Sequence, residues 1–167
     1  MSLILRHMAN TRSVAKIAEG TERRSIAKHG AKYGYWSILG AKATSPKAIM
    51  RLIRGGLPYA TVRLLQDTLE LNRYQIATVL QMSSRTLERR KKSGKLDSME
   101  SDRALRLFRV FWRARELYEG DQDAALKWLK RKNPALEGIA PEEMIETESG
   151  AVLVENLIGR LENGVFS

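Results

Sequence analysis

The sequence predicts an all-α protein. Apolar residues recur at three- and four-residue spacing in one segment after another, and each segment is bounded by residues that start or stop helices, while strand-forming stretches are close to none. Residues 1–44 form a basic, partly flexible N-terminal arm in which only Val14, Ile17 and Ala18 suggest a short helix. Arg12, Arg23, Arg24 and Lys28 could track phosphates or simply make a solvated tail. Tyr33, Tyr35, Trp36, Ile38 and Leu39 cluster locally, to dock the arm or, alternatively, to stack on bases. Ser45 and Pro46 then supply a cap and a first helical position for a helix with Ile49, Leu52 and Ile53 on its core face, ended by Gly55 and Gly56. A second helix over about 58–71 turns Leu64, Leu65 and Leu69 inward. A third carries Ile76, Val79 and Leu80.

The fourth helix differs in kind. After a polar turn, with Ser83 or Ser84 as cap, it reads Arg85-Thr86-Leu87-Glu88-Arg89-Arg90-Lys91-Lys92, and Leu87 is its only sizeable apolar residue. That residue must anchor the helix to Ile76, Val79 and Leu80, which leaves the rest of its circumference free. An apolar-periodic helix, a short turn and a cationic helix make a helix-turn-helix, whose second helix enters the DNA major groove. The DNA-facing set is Ser84, Arg85, Thr86, Arg89, Arg90, Lys91, Lys92 and Lys95. Arg85, Thr86 and Arg89 lie near the N-terminal half, where an Arg can fork onto the two acceptors of guanine. Arg90, Lys91, Lys92 and Lys95 lie further along and are suited to phosphates, which position without reading sequence. A solvated cationic face is the bland alternative.

Past this helix, residues 99–118 place Arg103, Arg106, Arg109, Arg113 and Glu116 on one stripe. Leu105, Leu107, Phe108, Val110, Phe111, Trp112, Leu117 and Tyr118 cover the remainder. So wide an apolar face predicts burial on more than one side, either between the two halves of the chain or against a second copy. Asp121 caps a helix with Ala124, Leu126, Trp128 and Leu129 inward, stopped by Asn133-Pro134. A short helix follows Pro141, with Glu142 and Glu143 in its first turn as partners of the helix dipole and not as an acid and base pair. The final helix runs over about 150–162 with Val152, Val154, Leu157, Ile158 and Leu161.

Charge is divided along the chain. Up to Lys95 there are 19 Lys and Arg against 5 Asp and Glu; beyond it there are 10 against 14. The basic half suits a polyanion, whereas the acidic half would be repelled by one and faces solvent or a protein partner. Cysteine is absent, so neither a disulfide scaffold nor a thiolate metal site is expected, and a cytoplasmic location is. No apolar run approaches the roughly 20 residues that span a bilayer. No cofactor and no enzymatic activity are expected: His7 and His29 are the only histidines, and a phosphate-cradling glycine loop and metal-ligand spacings are missing.

Several short motifs stand in register: Ser84-Arg-Thr-Leu-Glu-Arg-Arg, Glu100-Ser-Asp-Arg, Trp128-Leu, Asn133-Pro-Ala-Leu-Glu-Gly, Pro141, Thr147-Glu-Ser-Gly and Glu162-Asn-Gly-Val-Phe. Over roughly residues 45–167 this order resembles the Xre/MbcA/ParS-type antitoxins. One departure is Pro141-Glu-Glu-Met-Ile, where a Pro-Leu followed by apolar residues would be typical. The resemblance implies a bacterial toxin-antitoxin module whose toxin carries a RES domain and consumes NAD. It further implies an Xre-like helix-turn-helix domain over 45–97 and a helical dimerisation and toxin-binding domain over 98–167.

On that basis the last helix and tail are expected to occlude the toxin's active site. Glu148, Glu155 and Glu162 would complement a cationic nucleotide pocket, Val165 and Phe166 would supply an apolar anchor, and Arg160 and Asn163 would add to the contact. A terminus folded onto the chain's own core is the alternative for Val165 and Phe166. The expected partners are a RES-domain toxin, double-stranded operator DNA and a second copy of the chain, within a higher-order toxin-antitoxin complex. One recognition helix reads few bases, so a dimer would span half-sites about 34 Å apart and repress its own promoter. A stand-alone dimeric helix-turn-helix regulator without a toxin is the competing function, with the wide apolar helix then serving dimerisation alone.

Overall fold

The computed structural model describes residues 46–164; the expected arm, the Ser45 cap, Val165 and Phe166 lie outside them. The described residues form eight α-helices and one 3-10 turn, with no strand among them beyond two isolated bridges. None of these helices is long and apolar enough to cross a membrane. The described residues divide into two compact units, one up to Ala104 and one from Leu105 onward.

In the first unit α1 (Pro46–Gly55) presents Ile49, Leu52 and Ile53, which are only half-buried. The chain leaves it through Gly56, whose φ of 78° and whose missing Cβ both matter: a Cβ there would lie 2.2 Å from the Leu96 carbonyl oxygen. That close approach starts a clamp. The Leu96 N–H donates to the Leu57 carbonyl at 2.8 Å and the Tyr59 N–H to the Gly94 carbonyl at 2.9 Å. Pro58, expected inside the second helix, is therefore paired with Lys95 in a bridge, and α2 begins later (Ala60–Leu69). Its Val62, Leu64, Leu65 and Leu69 are buried.

Helix α3 (Arg73–Val79) starts with a capping box. The Asn72 side chain accepts from the Tyr74 and Gln75 N–H groups, and the Gln75 side chain accepts from the Asn72 N–H. Its inward residues are Ile76 and Ala77, followed by Leu80, while Tyr74 is 77% exposed. The turn passes through Gln81 in the left-handed region and buries Met82. Ser83 then caps α4 (Ser84–Ser93) by accepting from the Thr86 N–H, and Gly94, with φ of 72°, closes it.

The second unit begins inside α5 (Ser98–Leu117), whose Leu105, Leu107, Phe108, Val110, Phe111, Trp112 and Ala114 are all buried. The wide apolar face is thus already covered within one chain. Asp121 caps α6 (Gln122–Lys130), which buries Ala125, Leu126, Trp128 and Leu129. A 3-10 turn (Pro134–Leu136) and α7 (Pro141–Met144) lead to α8 (Glu148–Glu162). Despite the acidic pair at Glu142 and Glu143, the α7 segment packs through buried Pro141 and Ile145. The last helix starts two residues before the expected position because Thr147, not a later residue, is its cap, accepting from the Gly150 N–H at 3.0 Å.

Candidate functional site

In the first unit the site is the outer surface of α4. Leu87 is its sole buried residue, and burying one leucine contributes about 1.5–3 kcal/mol, so a helix this polar needs further fixing. Its start is held by the Ser83 cap and its end by the Leu57–Leu96 clamp. Arg85, Arg89, Lys91, Lys92 and Lys95 are exposed, and Ser84 with them, while Thr86 is half-buried with its Oγ1 at 3.0 Å from Ser83 Oγ. Arg85, Thr86, Glu88, Arg89 and Lys92 line one open depression. The carboxylate of Glu88, an anion amid these cations, is taken up by Arg73 of α3.

Arg90 departs from the expectation of a phosphate contact. Its Nε lies 2.7 Å from Glu100 Oε2 and its Nη2 2.6 Å from Asp97 Oδ2. Asp97 and Glu100 are themselves locked together across the start of α5: the Asp97 N–H donates to Glu100 Oε2 and the Glu100 N–H to Asp97 Oδ1, each at 2.8 Å. The hydrogen bond to Glu100 holds the Arg90 guanidinium above its ordinary pKa. Burial pushes the Asp97 carboxyl up, but N–H groups of Glu100 and Met99 together with Arg90 outweigh it and hold it below its usual range. The buried Ser101 completes this knot, its Oγ accepting from the Leu57 N–H at 2.8 Å and donating to the Asp97 carbonyl. Arg90 therefore ties α4 to the start of α5. It does not belong to the open cationic face.

In the second unit the three glutamates expected to meet a partner meet arginines of the same chain. Arg106 Nε lies 2.9 Å from Glu148 and its Nη1 donates to the Glu146 carbonyl at 3.0 Å. Arg109 joins Glu148 at 2.9 Å and Glu155 at 2.5 Å, and Arg113 joins Glu162 at 3.0 Å. The hydrogen bond from Arg109 holds the Glu148 carboxyl below its usual range. These pairs form a ladder between α5 and α8, so Glu148, Glu155 and Glu162 have cationic partners within their own unit, although Glu148 and Glu162 remain exposed. Sequence reasoning placed the arginines on a stripe and the glutamates on a helix without joining them, although Arg106 and Arg113 repeat at the same seven-residue interval as Glu148, Glu155 and Glu162. Arg160 is exposed, and the Asn163 side chain is turned back, its Nδ2 donating to the Gly159 carbonyl at 2.6 Å.

The two units correspond to two family models in the same order. Residues 48–109 match the antitoxin Xre-like helix-turn-helix domain, and residues 113–164 match the antitoxin Xre/MbcA/ParS C-terminal toxin-binding domain. Antitoxin Xre of Photorhabdus laumondii subsp. laumondii is 35% identical over 133 residues, which cover 79% of this chain and 90% of the relative. Antitoxin Xre of Yersinia enterocolitica serotype O:8 is 32% identical over the same shares of both chains. With a capped cationic helix in the first unit, a toxin-binding domain in the second and relatives matched over nearly their whole length, the chain belongs to the Xre antitoxin family.

Proposed function

We propose that this chain neutralises a RES-domain, NAD-consuming toxin in the bacterial cytoplasm by covering its active-site entrance, and that it represses its own promoter as a homodimer. The observation that carries the reading is the succession of a helix-turn-helix domain and a toxin-binding domain over 48–164 in one chain. On DNA, Arg85, Thr86 and Arg89 read base edges, while Lys91, Lys92 and Lys95 neutralise phosphates. Ser84 faces the backbone beside them. On the toxin, Arg160 and Asn163 with the terminal Val165 and Phe166 make the contact, and the glutamates of α8 hold that helix in place through Arg106, Arg109 and Arg113. Substrate is then blocked sterically, with no chemistry by the antitoxin, and the complex assembles further through the dimer.

Co-expression with the RES-domain protein encoded beside this chain tests the reading. The expected result is a complex that co-purifies and that consumes NAD far more slowly than the free toxin. A toxin that remains fully active with this chain in excess would overturn it. A chain ending at Gly164 keeps the Arg113–Glu162 pair and lacks the apolar tail, so it should bind the toxin yet inhibit NAD consumption less.

A further inference from the structure

The circumference of α8 divides into three parts. Ala151, Val154, Leu157 and Ile158 are buried, and Glu148, Glu155 and Glu162 on one flank hold the arginines of α5. The remaining face carries Val152 and Leu153, 44% and 51% exposed, with Asn156 and Arg160, and Gly159 stands at its border with the glutamate flank.

Among the described residues nothing requires Gly159 to be glycine. It lies well inside a regular helix, where glycine is a poorer former than any residue but proline. Among the described residues a Cβ there would meet nothing nearer than Arg113 Nη2 at 3.8 Å, an ordinary contact. Gly150 of the same helix makes the contrast, since a Cβ at that position would lie 2.0 Å from the Met144 carbonyl oxygen. A glycine that no described residue requires, two turns along the same stripe of the helix from the half-exposed Val152, fits the close approach of another surface. Arg160 adds charge to the same face, and no acidic side chain among the described residues pairs with it. Gly159, Asn156, Arg160 and Asn163 also border one open depression, together with Arg113 and Glu155 of the ladder.

We propose that the toxin seats on this outward face of α8, with its backbone closest at Gly159, an aliphatic side chain over Val152 and Leu153, and a carboxylate at Arg160. The occupant is the toxin because the face lies within the segment that matches the toxin-binding domain. The proposal rests on the antitoxin reading above and specifies which side of the helix that reading uses.

The test pairs affinity with stability. Full-length chain, wild type and the variants Gly159→Ala and Gly159→Leu, is titrated calorimetrically with the RES-domain protein encoded beside it and is melted alone. Alanine is the better helix former, so Gly159→Ala should melt higher than wild type and bind more weakly. Gly159→Leu should lose about tenfold or more in affinity, the scale of a residue at the centre of an interface, while remaining folded. A merely structural glycine would not move stability and affinity in opposite directions. Wild-type binding with Gly159→Leu binding equally well would overturn the face alone. No binding by wild type would overturn the antitoxin reading and the face together. A change only in the oligomeric mass of Gly159→Leu, with toxin affinity intact, would assign the face to a second copy and also overturn the proposal.

Discussion

Single residues carry constraints that no average over an element conveys. The missing Cβ of Gly150 lets the first turn of α8 close onto the end of α7, with Met144 O only 2.0 Å from where that carbon would stand. Backbone cannot move aside as a side-chain tip can. Gly150→Ala should therefore destabilise the second unit by about 2 kcal/mol or more, despite the better helix propensity of alanine, as steric overpacking does elsewhere; a denaturant titration that left the midpoint unchanged would refute this. Thr61 is the opposite case. It is fully buried, and its Oγ1 has no hydrogen-bond partner among the described residues. Leaving a hydroxyl unpaired costs about 1–3 kcal/mol, so Thr61→Val, which replaces it with a methyl, should raise the denaturation midpoint. Neither position was legible in the sequence, because each depends on an atom of another segment brought close only by folding.

At the scale of the helix, what was legible follows from how local the signal is. The cationic helix α4 could be read because its anchor, Leu87, and its cations lie within one short segment, and the cap at Ser83 follows from the turn before it. Arg90 was read as a phosphate contact because it stands in the same run, although its partners Asp97 and Glu100 were only a loop away. The Asp97-x-x-Glu100 spacing is itself a capping-box signature that could have claimed the arginine. The ion pairs of the last helix were not legible for a longer-range reason: its glutamates meet arginines some forty residues earlier, and spacing along one helix cannot choose a partner helix. Two substitutions in α4 separate holding from binding. Lys92→Ala should weaken binding to operator and random DNA alike and reduce the slope of log affinity against log salt by about 1. Arg90→Ala should leave that slope unchanged and lower the melting temperature, because its guanidinium is engaged by Asp97 and Glu100. Equal losses of slope in both variants would return Arg90 to the phosphate-binding face.

Over the whole molecule, a net charge of +10 makes the acidic groups few and consequential. Each unit depends on carboxylates held among cations: Asp97 with Arg90 in the first, Glu148 with Arg109 and Arg106 in the second. Both carboxyls titrate below their ordinary values of 3.8 and 4.5 when folded. The unfolded chain therefore takes up these protons first as pH falls, and stability declines in the same direction. Their contribution is complete above the ordinary values and is lost as pH drops through the lower folded ones. Falling pH also removes negative charge from a chain already in cationic excess, which adds self-repulsion. The melting temperature should accordingly hold steady from neutrality to about pH 5 and fall below it. Glu148→Gln keeps the shape but removes this titration, so it should melt lower than wild type at neutral pH and converge with it in acid. Parallel curves for the two proteins across that range would show that the arginine–glutamate ladder does not set the acid limb.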